Sequence, residues 1–342
     1  MSEKKGLSVL TCVYNSVPML PETLRHLEKL QIPRSYSVEF VFVDNGSTDH
    51  SKEFIDGNFH PHGSIVHLYE PKLGTSWARR TGLKACRYSL IAFVDHDNWV
   101  AEDWAIRGIK FMEEHPDAGG VGSLNQGVFE SEEPKWFSRF QGNYAIGPQN
   151  VDNSLNGNKF GLIWGAGCFL RGSAVADALS FKTDPLVSSR QGKGLLSGDD
   201  SEIFYLMQLF GWRFYYAPEI QISHFMPSSR VTWKYLLALK EGLGRTAVYM
   251  DMYRRLIEYH CQQKELDSYD AKKELRISFN RFVNDLPGYI STFFPKIKGN
   301  FRTTQARFNL GNYRERKKQG DSLEKIFLYF ARKVALRLHD HK

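Results

Sequence analysis

The chain has 342 residues, 42% hydrophobic and 14% aromatic, which is enough to bury a full core and excludes a disordered or fibrous protein. The formal net charge is +7, and from Phe301 onward eleven Lys and Arg face four Asp and Glu, so the tail alone holds a surplus as large as the whole chain's. Cys12, Cys86, Cys168 and Cys261 are scattered, without a Cys-x-x-Cys pair or a compact disulfide framework.

The elements alternate from the start. Leu7 to Val13 is an apolar, β-forming run that breaks at Tyr14-Asn15-Ser16, and Leu24, Leu27 and Leu30 then recur at helical spacing. Phe40-Val41-Phe42-Val43 repeats the layout and stops at Asp44-Asn45-Gly46-Ser47-Thr48-Asp49, a run suited to a turn into a helix. A third strand is expected over 64–68, followed by a helix over 74–86 carrying Trp77, Arg79, Arg80 and Lys84. Leu90 to Val94 is continuously apolar, as a strand covered on both faces should be, and turns polar at Asp95-His96-Asp97-Asn98.

Further on, a helix is expected around Trp104 to Glu114, an irregular loop over 131–160, and an apolar segment over 160–170. Ser197-Gly198-Asp199-Asp200-Ser201-Glu202 opens a helix marked by Ile203, Leu206, Met207 and Phe210 and closed by Gly211. Trp212 to Tyr216 reads as a strand, Ile220 to His224 as a turn back, and everything after Trp233 as helical. A boundary falls near Pro227, dividing the chain into 1–226 and 227–342.

In open α/β sheets, ligands bind beyond the carboxyl ends of the strands, so Thr11 to Asn15, Asp44 to Ser47 and Asp95 to Asp97 are expected to share one crevice. Two carboxylates two residues apart at a strand end offer hard oxygen ligands for Mg²⁺ or Mn²⁺ against phosphate oxygens. The plain alternative is that Asp and Asn favour turns.

Leu10 to Asn15, Val43 to Asp49, Gly74-x-x-x-Ala78-Arg79-Arg80-x-Gly82 and Phe93-Val94-Asp95-His96-Asp97, in that order, resemble family 2 glycosyltransferases of the GT-A fold across about residues 7–226. The resemblance implies a mostly parallel central sheet flanked by helices, with the C-terminal helical region as an extension. It also implies inverting sugar transfer from a nucleotide diphosphate sugar, a UDP sugar in the plainest match, to a glycan or lipid-linked glycan in surface polysaccharide or glycolipid assembly. Asp44 matches the residue that contacts the base, with Thr11 and Asn15 beside it. Arg79 lies on the helix facing the donor, where Arg80 departs from a common Asn. Asp95 approaches ribose and metal, Asp97 binds the metal, and His224 completes its site. Gly198 to Glu202 matches the stretch holding the catalytic base, for which Asp200 is the first choice and Asp199 the reserve. A carboxylate is needed there because an acceptor hydroxyl is a poor nucleophile until its proton is taken. Acids at a helix start are also favoured by the dipole alone. Trp164 is expected against a sugar face, and Trp136, Phe137, Phe140 and Tyr144 as an acceptor platform or a loop anchor.

Met1 to Lys5 leads into a strand-like segment without an apolar signal region, and no run approaches the roughly 18 to 20 apolar residues of a membrane span. A cytoplasmic setting follows, with any membrane contact peripheral. Leu323, Ile326, Phe327, Phe330, Val334 and Leu338 form a stripe beside Lys325, Arg332, Lys333 and Arg337, suited to an anionic membrane or to packing on Trp233, Leu236, Leu237 and neighbouring helices. Nucleic-acid binding is not expected, because no reading module accompanies the charge. A nucleotidyltransferase and a silent scaffold of the same fold are the rival readings.

Overall fold

The structure, a computed structural model, describes residues 4–149, 162–181, 183–187, 197–262, 269–293 and 298–340. Its first half alternates strand and helix: β1 (Lys4–Val13), α1 (Leu20–Glu28), β2 (Ser37–Asp44), α2 (Ser51–Asn58), β3 (Ser64–Tyr69), α3 (Thr75–Ala85) and β4 (Tyr88–Phe93). β2 pairs with β1 and β3, and β1 with β4, all in parallel. Alternate residues of each strand enter different cores. Leu10, Val41 and Val43 join the cluster beneath α3, while Val9, Phe40 and Phe42 join the cluster on the other face. The two-sided burial expected of Leu90 to Phe93 is therefore present.

The second half adds β5 (Asn98–Val100), α4 (Trp104–Glu114), β6 (Ala118–Phe129), β7 (Phe169–Arg171), α5 (Gly172–Leu179), α6 (Asp199–Gln208) and β8 (Arg213–Met226). One eight-stranded sheet results, in the order β3-β2-β1-β4-β7-β6-β8-β5. The β7 strand runs antiparallel to both β4 and β6, and so joins the parallel half to the rest.

Two expectations need correction. The strand β6 is absent from the sequence reading because Gly119, Gly120, Gly122 and Gly127 interrupt its pattern. Those glycines admit close neighbours: a Cβ on Gly120 would stand 2.9 Å from the Phe169 carbonyl oxygen. The two segments expected around Trp212 and His224 are a single strand, with a register shift against β6 between Ser123 and Leu124. Of the expected 131–160 loop, Phe137, Phe140 and Tyr144 are buried in a cluster with Met226 and Leu236, so they anchor the loop. Residues 150–161 lie outside the described residues.

The C-terminal part comprises α7 (Trp233–Gln262), α8 (Ala271–Asn284), α9 (Leu286–Ile290), α10 (Phe301–Gln319) and α11 (Ser322–Asp340). Leu323, Phe327, Phe330 and Val334 of α11 are buried in the cluster beneath α3. Phe330 packs 5.3 Å from Tyr253, and Phe327 5.4 Å from Tyr269. The tail stripe thus packs on the protein, on Tyr253 of α7 and on Tyr269 among the neighbouring helical segments, while Leu236 and Trp233 belong to or border a separate cluster. The side chains of Arg337, Leu338, Cys261 and Lys342 lie outside the described residues. Among the described residues no helix is long and apolar enough to cross a membrane.

α7 and α10 touch backbone to backbone. A Cβ on Gly244 would stand 1.9 Å from the Phe308 carbonyl oxygen, and one on Gly311 2.0 Å from that of Glu241. Either alanine must push the helices apart. Gly244→Ala and Gly311→Ala are each expected to cost about 1–3 kcal/mol in chemical unfolding. Gly57→Ala, with nothing within 4 Å of the added Cβ, is the control and should leave stability unchanged or slightly raised.

Candidate active site

The strand ends open into a cleft of about 950 Å³. Its rim on the β1 side is cross-linked. The Asn15 N–H donates to Ser47 Oγ at 3.1 Å, and Asn15 Oδ1 accepts from the Thr48 N–H at 2.8 Å. The Asn45 amide donates to the Glu70 and Lys72 carbonyls at 2.9 and 2.8 Å and accepts from the Gly74 N–H at 2.7 Å. The loops after β1, β2 and β3 are therefore one body. Asn15 and Trp164 line the cleft. Thr11 does not: it is 1% exposed, inside β1, with its hydroxyl unpartnered. Asp44 stands at the end of β2 and accepts from the Ser47 N–H at 2.8 Å, beside the cleft lining and outside it.

Arg79 of α3 sits at the centre of an acidic cluster. Nη1 donates to Asp199 at 2.6 Å, Nη2 donates to Asp95 at 3.1 Å, and the guanidinium lies 5.0 Å over the Phe93 ring. Burial opposes its charge, but Asp199, Asp95 and Asp200 outweigh that and hold it well above its ordinary pKa. Arg80 is 8% exposed, its Nη1 donates to the Thr183 carbonyl, and its Nη2 lies 3.6 Å from Glu202. Neither arginine is the solvated helix face that surface Arg usually forms.

The acids that open α6 differ sharply. Asp199 is tied to Arg79. Glu202 is 1% exposed and accepts from the Leu186 and Val187 N–H groups and the Tyr253 hydroxyl, so its oxygens are engaged in the interior. Asp200 lines the cleft, accepts from the Gly165 N–H at 2.8 Å and the Ser201 N–H at 2.7 Å, and has no cation at ion-pair distance among the described residues. Burial, then the neighbouring Asp199, pushes its carboxyl above the usual value. Gly198 begins this helix at φ 113°, a conformation that favours glycine, and its absent Cβ leaves room for Thr246 of α7.

The pairing of β5 with β8 sets Asn98 opposite His224, which brings His224 to the Asp95-His96-Asp97 turn. His224 Nε2 stands 3.6 Å from Asp97 Oδ1, beyond hydrogen-bond length, and its Nδ1 is buried without a partner. Arg230 Nη1 holds the other Asp97 oxygen at 2.6 Å. Burial raises the Asp97 pKa, but His224 and Arg230 outweigh it and keep this carboxylate well below its ordinary value. Asp97 Oδ1 also accepts from the Asn98 amide at 3.1 Å, and a carboxylate oxygen beside an imidazole nitrogen suits a divalent ion in donor type. Asp95, engaged by Arg79, does not join them, and among the described residues no group of three His, Cys, Asp or Glu is arranged to hold a metal.

Residues 8–175 match the model of glycosyl transferase family 2. The chain carries a family 2 glycosyltransferase domain. The succinoglycan biosynthesis protein ExoM of Rhizobium meliloti is 22% identical over 250 residues, covering 72% of this chain and 75% of that protein. The glycosyltransferase GlyA of Streptococcus pneumoniae is 31% identical over 99 residues, 29% of this chain and 14% of that protein. The mannosyltransferase PcManGT of Pyrobaculum calidifontis, in complex with GDP-Man and Mn²⁺, aligns over 92% of this chain and 88% of its own, at TM-score 0.56 and 15% identity. That likeness shows the GT-A fold, as expected from the resemblance.

Sequence reasoning missed the far wall of the transferase cleft. Tyr235, Leu239, Lys240, Leu243, Thr246 and Met250 of α7 line it, three or four residues apart apart from one step. That spacing was visible, but only the fold says which face of α7 it becomes. Arg230 was missed because its partner lies across the sheet.

Arg79→Met removes the cation shared by these acids. We expect a loss of about 3 kcal/mol at neutral pH, the lower end for a broken buried pair because Asp95 is partly solvated. Uncompensated carboxylates have raised folded-state pKa values, so the folded state then binds more protons. The deficit relative to wild type should accordingly shrink as pH falls towards 5, in denaturant titrations at both pH values.

Proposed function

We propose that this transferase moves a sugar from a nucleotide diphosphate donor, UDP-linked by the plainest match to its family, to an acceptor hydroxyl with inversion, and that Asp200 is the base. The observation that carries the assignment is the contrast at the start of α6. Asp199 is neutralised by Arg79 at 2.6 Å, whereas Asp200 faces the cleft without a paired cation. Two backbone N–H groups fix the Asp200 carboxylate, and its raised pKa makes it a stronger proton acceptor than an ordinary Asp. Asp199 is then a positioning residue that holds Arg79.

Asn15, Trp164 and Arg79 form the donor side of this reading, with Asp44 at the base-binding end and Thr11 supporting it from within β1. Asp97 and His224 would hold Mn²⁺ or Mg²⁺, with Asp95 nearby on the same turn; such an ion, when bound, would offset charge on the departing diphosphate. Arg230 keeps Asp97 ionised and oriented through its second oxygen. Residues 1–226 form the transferase domain and 227–342 a basic helical region whose α7 lines the acceptor side. The acceptor is a glycan or lipid-linked glycan in polysaccharide assembly on the cytoplasmic side. ExoM, a succinoglycan biosynthesis protein by name, supports that setting.

Thermal shift with UDP, GDP, CDP and dTDP, each with Mn²⁺ or EDTA, should give metal-dependent stabilisation by one nucleotide. Asp97→Asn should remove the metal-dependent part. No stabilisation by any nucleotide would sink the donor assignment. With that nucleotide's sugar as donor, Asp200→Asn should keep nucleotide binding and slow transfer by about 10²- to 10⁴-fold, followed as nucleotide diphosphate released. The acid limb of the wild-type pH profile should lie above the usual carboxylate range, because the base works only when deprotonated. Wild-type turnover by Asp200→Asn would remove Asp200 from the mechanism.

A further inference from the structure

The apolar stripe of α11 packs on the protein, but another apolar face of the helical region is exposed. Phe279, Val283, Leu286, Ile290, Phe293 and Phe301, on α8, α9 and the start of α10, are between 40% and 67% exposed. Large apolar side chains concentrated in this way on a monomer's surface mark an interaction site. The face is held from beneath by aromatic contacts: Phe282 stacks 6.1 Å from Tyr313 and lies 5.8 Å from Tyr289, which in turn packs 5.7 Å from Phe293.

Beyond the exposed N-cap Asp270, the exposed charge from 271 to 302 is of one sign among the described residues. Lys272, Lys273, Arg276, Arg281, Lys298 and Arg302 are all exposed, and among the described residues none of them forms an ion pair. The acidic residues of the same stretch turn inward. Glu274 pairs with Arg255 of α7, and Asp285 accepts from Asn309 of α10. Among the described residues between 271 and 302, no Asp or Glu is exposed. A protein partner would have to supply both apolar sockets and a matching set of acids. A layer of anionic headgroups above acyl chains supplies both at once.

We infer that this face docks the chain onto an anionic bilayer, with Phe293 and Phe301 entering the boundary between headgroups and acyl chains and Lys298 and Arg302 meeting lipid phosphates. The docking does not depend on the transfer chemistry. Its consequence for substrate rests on that reading: Phe308, seven residues beyond Phe301 on α10 and so about 10 Å along the axis, lines the cleft. The acceptor side of the cleft then opens near the lipid surface, as a lipid-linked acceptor requires.

The test is sedimentation of the full chain with vesicles of phosphatidylcholine alone or mixed with phosphatidylglycerol, at low and high salt. The chain should sediment with the anionic vesicles at low salt, weakly with the neutral ones, and less as salt rises. Lys298→Gln with Arg302→Gln should lower partitioning onto anionic vesicles by about 25-fold, at roughly fivefold for each basic side chain lost. Phe293→Ser with Phe301→Ser should lower it on both vesicle types. Leu328→Ser with Tyr329→Ser, on the outer face of α11, should leave it unchanged. Every variant is first required to melt as wild type does and to keep its nucleotide-dependent thermal shift, so loss of docking is separable from failure of the donor assignment. No sedimentation of the wild type, or sedimentation that both double variants retain, overturns the proposal. A dimer in light scattering that Phe293→Ser with Phe301→Ser abolishes, without vesicle binding, overturns it in favour of a second copy on this face.

Discussion

The ion pairs of Arg79 hold three separate pieces of the molecule to one point. Its guanidinium joins α3 to the turn after β4 through Asp95 and to the start of α6 through Asp199. Asp95, Asp199 and Asp200 would repel one another without it. The close seat of α3 on the sheet is what delivers the guanidinium. A Cβ at Gly82 would come within 2.3 Å of Leu10, so glycine lets the helix lie against β1 with Arg79 one turn away.

Neutralising Asp199 also sorts the acids by role. One carboxylate is held by a cation, one is engaged by backbone amides and a tyrosine in the interior, and one faces the cleft with a raised pKa. Chemically similar residues, three positions apart at most, thus acquire different partners from their surroundings alone. The same logic acts in reverse across the cleft, where His224 and Arg230 keep Asp97 ionised.

What could be read from the chain follows from range. The four parallel strands announced themselves because each is a run rich in β-forming residues cut off by a polar turn, a local signal. Asp95, Asp97 and Asp200 were legible because their neighbours in sequence carry the motif. The strand β6 was not, since its glycines answer to Phe169, Trp212 and Gln149, all distant in sequence. Arg230 could not be assigned for the same reason: it meets Asp97 at a separation of 133 residues. The tail shows the other kind of ambiguity. An amphipathic helix records that one face is apolar, and leaves open whether lipid or protein covers it; here Tyr253 and Tyr269 do.

The glycine notches at Gly244 and Gly311 have a mechanical meaning. Where backbones meet with no side chain between them, there is no soft layer to compress or shear, so α7 and α10 act as a single stiff lever. One arm of that lever carries Leu239, Lys240 and Leu243 into the cleft, and the other begins at Phe301 on the apolar face. A tilt imposed on the outer arm is transmitted to the inner one without slack. Sequence change can then alter which groups the cleft wall presents, while its distance from the outer face stays fixed by two hydrogen atoms where side chains would otherwise be.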